Sequence, residues 1–305
     1  MANTIALATK YQPILDEIYS AGIKTAILEQ GALVDANFDG GNAVKVYSLS
    51  FDSGLGNYDR TDGYNTGNVT GAWQTLTLTQ DRSKELCVDR MDDEETLDLT
   101  VANLFSEYMK GHITPEIDAY RFAKIASANN VVSNTAAVNA NSVLGLIDNA
   151  QTTLTDAGVP TEGRVIFMNS TVYNLLKNNA VTAMRFADGS NINRHFKTFD
   201  GMEVVLVPQT RFYDSIAIDA NNGYGVVINS SNSSVVDSMN IQFIICDPKA
   251  VIAVKKHAKL KIFDPDTNQD KDQWKIQYRI YHDCFVPENK AKGIYVQKVA
   301  HTALE

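Results

Sequence analysis

The amino-acid sequence predicts an α+β fold, with helix and strand patterns alternating through the middle of the chain and long strands gathered at its end. Three observations carry this. Leu97, Val101, Leu104, Phe105, Tyr108, Met109 and Ile113 form one broad apolar stripe at helical spacing. Trp274, Ile276, Tyr278 and Ile280 alternate with Lys275, Gln277 and Arg279, which is the period of a strand. Between residues 143 and 208 the pattern runs helix, strand, helix, strand.

Taken in order, the first element is a short amphipathic helix. Ile14, Leu15, Ile18, Tyr19, Ala26 and Ile27 mostly keep helical spacing, with Pro13 in the first turn, where its missing N–H costs little, and Gly31 as a stop. It is either the first helix of a domain or an arm that packs on something else. Two strand patterns follow, Ala43 to Phe51 and Trp73 to Gln80; in the first, Tyr47, Leu49 and Phe51 share one face and Val44 and Val46 the other. Between them, residues 52–72 carry five glycines and a run of Asp and Asn. Loops beyond about 12–15 residues are uncommon unless functional or disordered. The segment reads as a long flexible hairpin reaching away from the body.

After the acidic run Asp89 to Asp98, the helical stripe spans Glu94 to about Ser127 as one long helix or two abutting ones. Thr114-Pro115-Glu116 marks either a kink or a fresh N-terminus. Asn129 to Asn141 reads as a crossing loop. Val143, Leu144, Ile147, Ala150 and Leu154 then form a helix stripe ended by Gly158 and Pro160, Arg164 to Met168 a buried strand, Ser170 the cap of a helix through Leu176, and Glu203 to Pro208 another strand. Ile241 to Cys246, Ala250 to Phe263 and Trp274 to His282 are the closing strands, with a turn from Asp264 to Asp272.

Composition narrows the function. The 305 residues hold 27 Lys plus Arg against 36 Asp plus Glu, a net charge of −9, which excludes a generally basic nucleic-acid binder. Hydrophobic residues at 44% and charged ones at 21% are ordinary for a globular chain. At this length one large or two modest domains are expected. The longest apolar runs are strand-sized, so no membrane-crossing helix is expected, and the N-terminus does not read as a secretory signal. Cys87, Cys246 and Cys284 are far apart and read as buried free thiols.

Motifs for chemistry are wanting. Gly54-Leu-Gly56 lacks a third glycine and a strand-to-helix turn, and the five histidines never fall three or four apart. No catalytic residue, cofactor or metal site is expected. In the acidic turn Asp264 to Asp272, Asp264, Asp266 and Asn268 fit the first, third and fifth positions of a calcium loop, but Gln269 stands where a glycine belongs and Lys275 where a bidentate carboxylate belongs. A solvated acidic turn is the better reading, with weak divalent-ion binding as the alternative; calorimetric titration with calcium decides between them.

Charge distribution says more. Residues 1–150 hold 10 bases against 20 acids, and residues 246–305 hold 11 bases against 8 acids. By period-two alternation Lys255, His257, Lys259 and Lys261 fall on one face of a strand, with Val254, Ala258, Leu260 and Ile262 on the other. This is either a solvated sheet face or a basic strip that meets acidic residues of a neighbouring chain, such as Asp92, Asp93 and Glu94.

The order of elements, with Glu116-Ile-Asp118-Ala-Tyr-Arg121, Gly163-Arg-Val-Ile-Phe-Met-Asn169, Phe199-Asp-Gly-Met-Glu-Val-Val205 and Tyr278-Arg-Ile-Tyr-His-Asp-Cys-Phe-Val286-Pro, resembles tailed-bacteriophage major capsid proteins of the Hong Kong 97-like fold. The resemblance implies an N-terminal arm over 1–42, an extended β-hairpin loop over 43–81, a peripheral domain with a spine helix over 82–128 and 241–305, and an axial domain over 129–240. It further implies a structural protein, not an enzyme, that self-assembles into hexamers and pentamers of an icosahedral virion shell around double-stranded DNA in the host bacterial cytoplasm. The implied partners are copies of itself, a separate scaffolding protein, a portal and decoration proteins, with no membrane. Tyr58, Arg60, Tyr64, Asp92, Asp93, Glu94, Lys255, Lys259 and Lys261 are the expected contacts between subunits. Some members cross-link through a loop lysine; residues 52–72 hold none, so shells are expected to dissociate into single chains on denaturing gels. The alternatives are an encapsulin-type compartment and, from another class, an α/β enzyme.

Overall fold

In the computed structural model, residues 22–30, 43–58, 60–61, 63–64, 66–95, 99–184, 197–219, 223–226 and 238–300 are described. The expected helix from Pro13 lies outside them up to residue 21; the described part of the N-terminal segment is a 3-10 turn, Ala26–Gln30. Strand β1, Ala43–Phe51, falls where alternation places it. Strand β2, Val69–Thr77, begins four residues earlier than its alternating pattern, because Val69, Thr70 and Ala72 extend the ladder. Strand β3, Gln80–Asp89, has no apolar alternation in Asp81-Arg82-Ser83-Lys84-Glu85, and periodicity misses it.

Helix α1, Arg90–Glu95, lies within the acidic run, and α2, Leu99–Tyr108, continues through a π turn, Met109–Ile113, into α3, Thr114–Ala126. The turn resolves the two readings of Pro115. Proline has no N–H for the carbonyl four residues back and its ring crowds that group. The chain widens by one residue instead, so that Thr114 N–H reaches Met109 O. The site is a bulge in a continuous helical course and not a fresh N-terminus.

Strand β4, Val132–Asn134, lies in what reads as a crossing loop. Helix α4, Val143–Asp156, ends as expected at Gly158, whose φ of 78° a side chain would resist. There Gly158 N–H and Val159 N–H return to Thr155 O and Leu154 O. Strand β5, Val165–Asn169, leads into α5, Ser170–Met184, which is longer than expected and is capped by Asn169, not Ser170: Asn169 Oδ1 accepts from Val172 N–H at 2.8 Å. The remaining strands are β6, Thr198–Phe199, β7, Met202–Val207, β8, Ala217–Asp219, β9, Gly223–Gly225, β10, Met239–Cys246, β11, Ile252–Phe263, β12, Gln273–Phe285, and β13, Ile294–Ala300.

A six-stranded sheet in the order β4-β13-β10-β5-β7-β6 holds the core. Its two central strands are apolar on both faces, as a doubly covered sheet requires. On one face Val165, Phe167, Ile244 and Cys246 pack with Phe122 and Ile125 of α3 and with Leu28 of the N-terminal segment. On the other, Ile166, Met168, Phe243 and Ile245 pack with Ile147 and Leu154 of α4 and Leu176 of α5. Within this sheet β10 and β13, from residues 241–300, pair with β5 and β4, from residues 129–240.

A second sheet, β11-β12-β3, is antiparallel throughout. Helices α2 and α3 cover one of its faces, with Phe105 5.5 Å from Tyr278 and Tyr120 5.6 Å from His282 between ring centroids. Cys246 and Cys284 are buried as expected, whereas Cys87, on the edge strand β3, is half-buried.

Candidate functional site

Strands β1 and β2 form an unbroken antiparallel ladder from Ala43 opposite Thr77 to Phe51 opposite Val69. The irregular part of the loop is thereby shortened to residues 52–68, and Asn68 N–H closes its neck on Asp52 Oδ1 at 3.0 Å. Alternation gives the ladder two faces. Val46 and Leu76 turn toward the body and pack with Leu78, Ile252, Val254, Tyr281 and Phe285. Tyr47, Leu49, Phe51, Val69 and Trp73 turn outward, with Phe51 70% and Trp73 65% exposed.

The outward stripe has internal order. Tyr47 lies across Gly71, where a Cβ would collide with the Tyr47 hydroxyl, and its ring centroid is 4.9 Å from that of Trp73. At the tip Leu55 is fully exposed and Tyr58 and Tyr64 meet edge to face at 5.2 Å. A contiguous exposed apolar stripe marks a contact surface. Tyr58, Tyr64 and the exposed Arg60 therefore belong to one projecting element, but the larger apolar area lies on the ladder behind them.

The charged residues part company. A β-bulge between Lys255 and His257 sets Lys255 opposite His282 and His257 opposite Tyr281. Neighbouring residues of β12 point to opposite faces, so Lys255 leaves the face of His257, Lys259 and Lys261. The single basic strip expected from period-two alternation is thus broken by Lys256, the extra residue. Lys255 pairs instead within its own chain, 2.6 Å from Glu29. Lys259 and Lys261 stay exposed; Lys259 stands directly across from Arg279, whose charge Asp81 answers through two bonds of 2.8 and 2.5 Å. Asp92 is half-buried and Asp93 is buried, while the side chain of Glu94 lies outside the description.

Sequence patterns miss a buried charge network that ties the N-terminal segment to the body. Asp118, on α3, is fully buried and accepts from Lys24 N–H at 3.0 Å, Thr25 N–H at 3.2 Å, the Thr25 hydroxyl at 2.8 Å and Arg211 Nη1 at 3.2 Å. One turn on, Arg121 Nη1 donates to Thr25 Oγ1 at 2.8 Å and lies 2.7 Å from Glu29. Burial works to raise the Glu29 pKa, but Lys255 and Arg121 outweigh it and hold the carboxyl below its ordinary value.

His282 sits beside this network at 2% exposure, and burial, aided by the Arg121 charge, pushes its pKa down to about 4. Between the ordinary value near 6.5 and this one, the unfolded chain takes up a proton that the folded chain refuses. The contribution is therefore complete above pH 6.5 and is lost as pH falls toward 4, on the order of 3 kcal/mol in all. Urea unfolding at pH 7 and pH 5 should show this slope in the native chain and a shallower one in His282→Gln; equal slopes would remove His282 as its source.

Two other features are engaged internally. An open cleft of about 660 Å³ between α2, the π turn and β3 is lined by Tyr108, His112, Tyr224 and Tyr278. Two of its charged groups are tied down, Arg82 Nε lying 2.7 Å from Glu116 Oε1 and Arg82 Nη2 3.0 Å from Asp219 O. In the acidic turn Arg90 lies 3.3 Å from Asp266 and Lys275 2.8 Å from Asp270. Cations of the chain itself thus lie beside two of the carboxylates of the turn.

No family model matches the sequence, and no curated protein matches it. Solved structures do. The chain superposes on one from the mature capsid of bacteriophage PhiM1 with a TM-score of 0.67 at 11% identity, covering 99% of this chain and 93% of that one. For the capsid of cyanophage P-SCSP1u the TM-score is 0.64 at 11% identity, covering 98% and 93%. A virus-like particle from Pyrococcus furiosus gives 0.50 at 12% identity, covering 84% and 86%. The chain has the α+β fold of these particle-forming proteins.

Proposed function

We propose that this chain, which has the fold of phage capsid proteins, is a major capsid protein that closes into an icosahedral shell of hexamers and pentamers around double-stranded DNA. The observation that carries the proposal is the outward stripe Tyr47, Leu49, Phe51, Val69 and Trp73, apolar and exposed on a hairpin whose other face is already packed on its own body. Interfaces between subunits draw on such aromatic area. Laid over an adjacent subunit, the stripe gains the burial that a single chain denies it.

On this reading the six-stranded sheet with α4 and α5 is the axial unit, and β11, β12 and β3 with the helices across them are the peripheral unit. Exposed Lys259 and Lys261 supply charge at the rim of the peripheral unit, where it directs register more than it adds affinity. The net charge of −9 suits a container for DNA, since an acidic wall does not hold phosphate against packaging. The location is the virion, with assembly in the bacterial cytoplasm. A scaffolding protein, a portal and decoration proteins complete the set of partners.

The likeness to the archaeal virus-like particle supports a second reading, a compartment that encloses cargo proteins. Sedimentation of the concentrated chain, followed by nuclease treatment and a nucleic-acid assay of any particles, separates these. Protected double-stranded DNA in fast-sedimenting particles supports the capsid; particles filled with protein support the compartment; a chain that stays monomeric at high concentration contradicts both.

A further inference from the structure

Leu78 and Thr79 are the two residues between β2 and β3, so the hairpin bends there relative to the body. Leu78 is buried against Ile252 and Val254, and its carbonyl accepts from the Tyr281 hydroxyl at 3.0 Å. Thr79 is held by a different group. Its N–H and its hydroxyl both donate to Asp283 Oδ2, at 2.8 and 2.9 Å. The other oxygen, Oδ1, accepts from the Tyr120 hydroxyl of α3 at 2.7 Å and from Cys284 N–H at 2.7 Å.

Asp283 is 1% exposed, and the ion pairs among the described residues do not include it. A buried carboxylate without a counter-ion is costly unless donors converge on it, and here four do, from the hinge, from α3 and from β12. An apolar hinge would need only Leu78. The carboxylate adds direction: one oxygen fixes Thr79, the other fixes the helix, and the rigid carboxyl group sets the angle between them.

We propose that Asp283 is the positioning residue that sets the direction in which the hairpin leaves the body, by clasping Thr79 of the hinge against Tyr120 of α3. The inference rests on the shell reading only for what that direction serves, the placing of the outward stripe over a neighbour. Asparagine at 283 keeps the shape but turns an NH₂ group toward donors, and so loses one side of the clasp.

The test uses the full chain, dilute and unassembled, with spin labels at Leu55→Cys on the tip and Asn149→Cys on α4 in a Cys87→Ser background. Electron–electron distance measurement should give one narrow distribution for this parent and a distribution at least about twice as broad for Asp283→Asn and for Thr79→Val, with restoration by Thr79→Ser. Exchange of the Thr79 amide should quicken about tenfold in Asp283→Asn while amides of β10 keep their rates. Distributions as narrow as the parent in either variant overturn the proposal. If Asp283→Asn does not fold, Thr79→Val decides, since it keeps the bonds that Tyr120 and Cys284 make to Asp283 and removes the Thr79 hydroxyl, which donates to Asp283 and lies 3.2 Å from the Tyr120 hydroxyl. Failure of the shell reading looks different: no particles, with the narrow distribution intact.

Discussion

Replacing both Phe51 and Trp73 by serine should abolish particle formation while leaving the unassembled chain folded. Both side chains are mostly in solvent in the single chain, 70% and 65% exposed, so their loss removes little from its folding. The contact of Trp73 with Tyr47 is the main intramolecular term given up, about 0.5–1.5 kcal/mol. In the shell each ring buried against a neighbour contributes about 1.5–3 kcal/mol, and the contact recurs at every subunit, so the deficit multiplies around a closed particle. Thermal unfolding of the dilute variant and sedimentation of the concentrated one measure the two effects. A variant that still forms shells at the native concentration would show that the stripe is not the contact.

Asp118→Ala should have the largest effect on the fold itself, a loss of about 3–5 kcal/mol in urea unfolding. The carboxylate is fully buried and gathers Lys24 N–H, Thr25 N–H, the Thr25 hydroxyl and Arg211, so its removal strips several buried donors of their acceptor at once. Because those donors belong to the N-terminal segment and to the turn at Gln209–Arg211, amides of residues 24–28 should lose protection well before amides of β5. A loss below about 1 kcal/mol would mean that water replaces the carboxylate easily and that Leu28, not Asp118, anchors the segment.

Much of this was legible in sequence, and the misses have physical causes. β1, α4, β5, β7, β10 and β12 carry their burial in their periodicity, which is why their places could be read. β3 could not, since its polar residues Asp81, Arg82 and Glu85 are spent on partners in Arg279, Glu116 and Gln277 rather than on a core. β4 and β13 join a sheet whose strands come from distant parts of the chain, a matter of topology that periodicity does not encode. The bulge at Lys256 inverts the face of Lys255, and an extra residue in one strand becomes visible only when the partner strand is known.

The buried network was present as text but not as chemistry. Asp118, Tyr120, Arg121, His282 and Asp283 all lie in two of the four segments that carry the family resemblance, where they read as motif letters. Their meaning appears once α3 crosses β12 and the N-terminal segment reaches both. Tyr58 and Tyr64 stand out in the sequence as large residues in a glycine-rich loop. The outward stripe on β1 and β2 was equally visible as Tyr47, Leu49 and Phe51 on one strand face, but which face meets the body was not.

The most direct measurement is a cryo-electron microscopy reconstruction of particles formed by the native chain, at a resolution that traces residues 43–77. The account predicts an icosahedral shell in which Phe51 and Trp73 are covered by an adjacent subunit. A particle in which that face lies in solvent, or a concentrated protein that forms no particle, would contradict it.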